Sequence, residues 1–281
     1  MGSESFKGKQ ENTIRVLKES DRELLLRYLD KQPSLNIFII GDVEAFGFEN
    51  DFQTLYAEFD KKGKYLSVLL FYRDNCVYYS HIDYFNKDWL KIMNNHNFNF
   101  FSGKESLMNL LYKYLPNFTK SDMYFAEATN SVNINEYDFS NILEFKNEND
   151  AGKLYDCLLT INEFSVDREN RDSYIKSRMA SMSMGVSYFI KEDGVIVSTV
   201  ATTAETTKAA MVVAVATLKV GRQKGYASKL MVYLMNEYIV NRKKYLCLFY
   251  DNPEAGKIYK RLGFKDIDKW SLLKKNKSME E

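Results

Sequence analysis

The sequence predicts an α/β protein in which one plan, a mixed sheet flanked by helices, occurs twice in succession. Two observations lead there. Short runs rich in β-branched and aromatic residues, bounded by turn residues, alternate with helically spaced apolar stretches along the chain. Features of the first half also recur in the second. Ile14-x-x-Leu17-Lys18 and Ile142-x-x-Phe145-Lys146 stand 128 residues apart, each ahead of a helical stretch with an acidic start. Gly63-x-x-x-Ser67 and Gly194-x-x-x-Ser198 stand 131 apart, each following a strand-like segment and a charged turn. A spacing held over two elements marks a duplicated unit.

In the first half, a strand near 14–17 leads to helices over about 20–31 and 34–46. Strands near 53–59, 64–72 and 75–81 are divided by the Gly63 and Asp74-Asn75 turns. A helix near 87–95, a strand near 98–101, a helix near 104–115 and a strand near 121–128 complete the half. The polar run Asn130 to Asn141 is the linker candidate. The second half restarts with a strand at 142–145 and helices near 148–161 and 170–181. Strands at 185–191 and 195–202 are joined by Glu192-Asp193-Gly194, a hairpin turn. The strand 209–218 is apolar throughout and reads as buried on both faces. A long helix over about 224–241 carries Leu230, Met231, Leu234, Met235, Tyr238 and Ile239 at helical spacing. A strand at 245–250, a helix at 254–262 and a strand at 264–273 finish the plan. The domain boundaries are thus a flexible lead-in at 1–12, then 13–135 and 136–281.

Composition narrows the function classes. Of 281 residues, 45% are hydrophobic and 15% aromatic, which suits packed cores rather than disorder. The net charge of +1 lacks the basic excess that phosphate neutralisation demands of a nucleic-acid binder. The three cysteines, Cys76, Cys157 and Cys247, form no CxxC pair, so neither a disulfide framework nor a zinc site is predicted. With no bilayer-length apolar run and no signal-peptide core, no membrane partner is expected and the predicted compartment is the cytoplasm. The two histidines, His81 and His96, both lie in the first half. The second half therefore holds no Ser-His or Cys-His relay of its own and no histidine metal cluster.

Two stretches of the second half carry chemistry. Lys219-Val-Gly-Arg222-Gln-Lys-Gly225-Tyr-Ala227-Ser228 joins a buried strand to a long helix. A helix start leaves backbone N–H groups unpaired and carries partial positive charge, so it suits a pyrophosphate. Gly225 and Ala227 let the backbone approach an anion closely, and Arg222 and Lys224 add charge. Alone this supports only anion binding. The second stretch is Asn252-Pro-Glu-Ala255-Gly-Lys-Ile-Tyr259-Lys-Arg-Leu-Gly263-Phe264, which follows the strand 245–250.

Arg222-x-x-Gly225-x-Ala227 resembles the (Arg/Gln)-x-x-Gly-x-(Gly/Ala) signature of the GNAT superfamily of N-acetyltransferases. The second stretch is similar to the late pattern Asn-x-x-Ala-x-x-x-Tyr-x-x-x-Gly-Phe of the same superfamily at all five fixed positions, and the order is right. The resemblance covers about residues 140–275. The Pro common just after the cofactor strand is absent here.

The resemblance implies a mixed, mostly antiparallel sheet in each domain, with two parallel strands, 209–218 and 245–250, splayed around acetyl-CoA as co-substrate. Backbone groups of Val215, Ala216 and Thr217 would pair with the pantetheine arm and supply an oxyanion donor. The pyrophosphate would rest on the N–H groups of Gln223, Lys224, Gly225, Tyr226, Ala227 and Ser228, beside Arg222. Asn252 would hold the arm. Tyr259 would act as general acid toward the leaving thiolate, and a primary amine of a small molecule would attack directly. Glu205 is the first candidate for a base acting through water, with Glu163, Asp167 and Glu169 behind it. No metal is called for, and a monomer or homodimer is expected.

At Asn97 to Ser106 the first half repeats strand, loop and helix without either motif, so it is expected to be a degenerate copy. Two other readings stand beside this one. They are a non-catalytic acyl-CoA-binding sensor and a tRNA-dependent aminoacyltransferase; an intact pyrophosphate loop and low net charge weigh against the latter.

Overall fold

The structure, a computed structural model, describes residues 12–159, 170–180, 182 and 185–276. By contact the chain divides into two compact units, Met1–Asp122 with Lys269–Glu281, and Met123–Asp268. The boundary read from the sequence fell at 135/136.

In the first unit, β1 (Thr13–Val16) leads to α1 (Arg22–Leu29) and α2 (Ile37–Phe46). β2 (Gln53–Phe59), β3 (Tyr65–Tyr72) and β4 (Asn75–Ser80) follow, and β1 to β4 pair antiparallel in order. After α3 (Trp89–Met93), β5 (Phe100–Lys104) lies parallel to β4, and α4 (Glu105–Tyr112) comes next. Trp89, Phe101, Leu107, Met108 and Tyr78 fill a core on one face of this sheet. The strand β6 (Phe118–Ala128) then begins here and ends in the second unit.

The second unit repeats the plan. β7 (Ile142–Glu144), α5 (Glu148–Leu158) and α6 (Arg171–Ala180) precede β8 (Ser187–Glu192), β9 (Val195–Thr203) and β10 (Ala209–Thr217). Asn147 caps α5 by accepting from Asp150 N at 3.1 Å. Asp193 and Gly194 both take positive φ, which gives the β8–β9 hairpin a turn whose twist suits its strands. The chain continues with α7 (Tyr226–Met235), β11 (Tyr245–Tyr250) and α8 (Pro253–Arg261). β7 to β10 are antiparallel neighbours, and β10 and β11 are parallel. Each unit is therefore a mixed, mostly antiparallel sheet flanked by helices.

The last strand of each repeat is not in the repeat that precedes it. The end of β6, Tyr124–Ala128, pairs antiparallel with β11 in the second unit. β12 (Lys265–Lys275), which follows α8, enters the first unit and pairs Trp270–Lys274 with Lys104–Phe100 of β5. Leu273 is a member of the first unit's core.

Two cores cover the sheet of the second unit. On one face, Leu230, Leu234 and Met235 of α7 pack with Val212, Leu246 and Leu248. On the other, Leu154 and Leu158 of α5 pack with Phe189, Ile196 and Ala216. The expected helix over 224–241 is regular only to Met235. Residues Asn236–Asn241 continue as a wider, π-type turn that carries the buried Tyr238. Helical spacing of apolar residues does not distinguish the two, because a widened turn keeps the same side chains inward.

Candidate active site

β10 and β11 pair only at Ala209–Met211 with Tyr245–Cys247. Beyond that point they part. β11 stays paired along its other edge with β6 up to Tyr250. β10 stays with β9, but one extra residue intrudes between Val213 and Ala216, and Ala214 sits at φ +53. Such a bulge bends a strand and takes backbone groups out of the ladder. Nothing in the sequence marks it, since nine small or apolar residues in a row read the same with or without a bulge.

The parted strands open onto a cavity of about 1060 Å³, at the upper end of the range for small-molecule sites. Its walls come from both faces of the sheet. Val212 and Leu248 belong to the core under α7. Ala216 belongs to the core under α5, and Val213 shares its face through the register with β9. The opening is thus lined from both faces of the sheet.

At one end of the cavity lies the turn before α7. Gln223 (φ +64) and Gly225 (φ +78) both take the left-handed conformation, and Gly225 is the N-cap. Glycine lacks a capping side chain, so the N–H groups of Tyr226, Ala227 and Ser228 have no intrahelical acceptor. A β-carbon at Gly225 would meet nothing within 4 Å. This open, positively polarised turn suits a pyrophosphate. Arg222 reaches back to the Thr217 carbonyl at 3.3 Å, and Arg261 donates to Ser228 Oγ at 2.8 Å, so cations flank the turn.

Asn252 ends β11 and caps α8. Its Oδ1 accepts from Glu254 N at 2.9 Å, Pro253 occupies the first helical position, and the side-chain amide nitrogen has no partner among the described residues. Tyr259, two turns on, is 7% exposed and lines the cavity. Burial pushes its hydroxyl up to about 12. The Tyr259 ring packs edge-on to Tyr250 at 5.7 Å, and Tyr250 in turn donates to Asp266 Oδ1 at 2.7 Å.

Val215, Ala216, Thr217, Arg222, Gln223, Gly225, Tyr226, Ala227, Ser228, Asn252 and Tyr259 therefore line one cavity. Two of the expected residues do not. Lys224 turns away and binds the Glu192 carboxylate at 2.8 Å, which Tyr226 also contacts through its hydroxyl. Glu205 lies before the start of β10, at the end opposite the opening. It accepts from Lys244 at 2.6 Å, Tyr238 at 2.9 Å and Arg242 at 3.4 Å. Burial alone would raise its pKa, but those bonds outweigh it and hold the carboxyl below its usual range. Position and charge state both fit a structural ion cluster rather than a base at the opening. Glu163, Asp167 and Glu169 lie outside the described residues. Tyr250 and Arg261 line the cavity too, although neither belongs to a motif in the sequence. The one sequence signal for Tyr250 is Gly256 in the first turns of a helix, where glycine is unfavourable unless something packs against it.

The first unit's counterpart of the Arg222 turn is the loop 81–88 between β4 and α3. It is not Asn97 to Ser106, whose strand and helix match β11 and α8. The loop contains no glycine. Tyr84 and Asn86 tie it to the fully buried Glu58 carboxylate, at 2.7 and 2.9 Å. A β-carbon on Gly103 of β5 would lie 2.7 Å from the Tyr78 carbonyl of β4, so these two strands stay close where β10 and β11 have parted. Among the described residues, no group of three or more His, Cys, Asp or Glu is placed to hold a metal ion, and no helix is long and apolar enough to cross a membrane.

Residues 153–264 match the model of the acetyltransferase (GNAT) family. This segment is a GNAT acetyltransferase domain. It lies wholly in the second unit and contains the bulge, the Gln223–Gly225 turn and Tyr259. Among solved structures, a Drosophila protein is similar at 12% identity and a TM-score of 0.66, over 94% of this chain and 98% of that one. A tandem GNAT protein from the clavulanic acid biosynthesis pathway is similar at 11% identity and 0.53, over 94% and 98%. A GCN5-related N-acetyltransferase from Sphaerobacter thermophilus is similar at 13% identity and 0.55, over 93% and 94%. Identities this low speak to the fold, and they place the GNAT domain in a chain-long tandem architecture. No curated protein sequence matches the chain.

Proposed function

We propose that this protein transfers an acetyl group from acetyl-CoA to a primary amine of a small molecule, at one site in the GNAT domain. The observation that carries the reading is the cavity lined from both faces of the sheet, with an unpaired helix start at one end. The donor needs an anion site at the edge of the sheet and a slot through it; the acceptor needs the opposite face.

The residues divide the work as follows. The N–H groups at the start of α7 hold the pyrophosphate, aided by Arg222. The edge of β10 beyond Met211, without a strand partner toward β11, pairs with the amide-bearing arm. The amide nitrogen of Asn252 anchors that arm from the other wall. When bound, acetyl-CoA supplies the thioester. A backbone N–H of Val215–Thr217, released by the bulge, stabilises the oxygen that gains charge as the amine attacks. Tyr259 donates to the departing sulfur. A phenol near 12 is a weaker acid than an ordinary thiol at about 8.5, a gap of roughly 5 kcal/mol for outright proton transfer. Burial raises the proton affinity of a thiolate too and narrows the gap. Tyr259 therefore acts first through its hydrogen bond and yields the proton as the carbon–sulfur bond completes its break; the proton lost by the attacking nitrogen passes to solvent, from which the tyrosinate is reprotonated.

The test is calorimetric titration with acetyl-CoA and a thiol-release assay with a panel of amines. One binding event per chain and CoA release with at least one amine are expected. Binding without release from any amine would leave an acyl-CoA-binding sensor, and two events per chain would give the first unit a site that its loop 81–88 is not built for.

A further inference from the structure

The start of α7 is tied to the end of another helix. Ser228 is the third residue of α7, and Arg261 is the last residue of α8. The Arg261 guanidinium donates to Ser228 Oγ at 2.8 Å, and both residues line the large cavity. The bond therefore links the helix that begins at the Gln223–Gly225 turn to the helix that carries Tyr259. A cation in the last turn of a helix is favoured by that helix's own dipole. Arg261 also reaches beyond its own helix.

The chemistry of the two groups fixes the direction of the bond. A guanidinium has donors and no acceptor, so Ser228 Oγ accepts. The Ser228 hydroxyl proton is thereby left to donate elsewhere. A serine in a helix often returns that proton to the carbonyl one turn back. Here the proton has no acceptor among the described residues, although Ser228 is only 9% exposed. A buried donor without an acceptor is unfavourable, and a ligand that accepts the proton removes that cost. The backbone N–H of the same residue is one of those left without an intrahelical acceptor at the start of α7. Two donors of one residue thus stand where a helix start favours negative charge.

The other cations near the turn are engaged differently. Lys224 is bound to Glu192 at 2.8 Å, and Arg222 reaches the Thr217 carbonyl at 3.3 Å. On α8 and just after it, the carboxylates of Glu254 and Asp266 are paired with Lys257 and Lys260. Among the described residues no carboxylate is paired with Arg261.

We propose that Arg261 is a positioning residue for the donor. By occupying a lone pair of Ser228 Oγ, it leaves the hydroxyl proton directed into the cavity, where that proton and the Ser228 N–H hold the pyrophosphate together. Its charge polarises the hydroxyl and strengthens the bond to an anion. The inference rests on the acetyl-CoA reading of the cavity and deepens it: side chains of two helices, and not the backbone of α7 alone, select a donor that carries a pyrophosphate.

The experiment is a double-mutant cycle, read by calorimetric binding of acetyl-CoA at several salt concentrations with no amine present. Arg261→Gln and Ser228→Ala are each expected to weaken binding about tenfold, as for loss of a hydrogen bond to a charged group. Both remove the same contact, so the double variant should also bind about tenfold more weakly, and not the roughly hundredfold of independent sites. The fall in affinity with rising salt should be shallower in Arg261→Gln than in the wild type. Arg261→Lys, which keeps the charge and a donor, should restore that salt dependence and part of the affinity. Wild-type affinity in Arg261→Gln, a loss near a hundredfold in the double variant, or a loss with unchanged salt dependence overturns the inference. Those outcomes leave the acetyl-CoA reading standing, whereas a wild-type protein that binds no acetyl-CoA overturns both.

Discussion

A β-carbon on Gly256 would lie 2.5 Å from Cε2 of the Tyr250 ring. The ring cannot simply swing away, because its hydroxyl is held on Asp266 at 2.7 Å and its flank is packed on Tyr124, 5.1 Å between centroids. Gly256→Ala gains about 1 kcal/mol of helix propensity, but overpacking costs about 1–3 kcal/mol, so the net change is expected to be destabilising. The displaced ring intrudes on the cavity. A lower melting temperature and roughly tenfold weaker acetyl-CoA binding are expected; a variant with wild-type values in both would show that the ring has room.

Tyr259→Phe is expected to lower turnover about 100-fold or more, the usual range for loss of a positioned acid, and to leave acetyl-CoA affinity within threefold. Because the folded pKa is raised to about 12, the hydroxyl stays protonated below that value. No fall in rate from its ionisation is therefore expected below about pH 10. Unchanged turnover in the phenylalanine variant removes Tyr259 from the chemistry.

At Gly225 the backbone sits at φ +78. Alanine there costs about 1–2 kcal/mol of left-handed strain and places a methyl group where the proposed site would hold the pyrophosphate. Asparagine tolerates this conformation better. Gly225→Asn should therefore recover most of the stability lost in Gly225→Ala while both bind acetyl-CoA at least tenfold more weakly. If Asn also restores binding, strain rather than close approach is what glycine relieves.

The Glu205 cluster has a pH signature with a definite sign. Its folded pKa lies below the ordinary 4.5. The ionised carboxylate thus stabilises the fold at pH above that ordinary value, and the contribution is lost as pH falls below 4.5 toward the folded value. Melting temperature between pH 6 and 3 should fall more steeply in the wild type than in Glu205→Gln. The same variant should keep its turnover at neutral pH. A hundredfold loss there would bring Glu205 back as the base.

What the sequence revealed of the site followed from how local each feature is. Arg222 to Ala227 and Asn252 to Phe264 are contiguous stretches in which spacing alone sets the geometry of a turn and a helix start, so both were readable. Glu205 was misplaced because nearness to a cofactor strand in sequence does not say which end of the strand matters. The exchange of β6 and β12 was hidden for a related reason. Both are terminal strands of similar length following similar helices, and either could have flanked β5 or β11.

That exchange affects how the protein is made. β5 leaves the ribosome early, while the strand that covers its edge is encoded about 170 residues later. At bacterial-to-eukaryotic elongation rates of about 5–20 residues per second, the edge waits roughly 10–30 s for its partner. An uncovered strand edge is a template for pairing with other chains. The second unit needs only β6, which emerges before β11, so it is able to close first. The nascent chain thus completes its sheets in the reverse of the order in which they begin, and a stop codon anywhere before Lys269 would injure the half of the protein synthesised first.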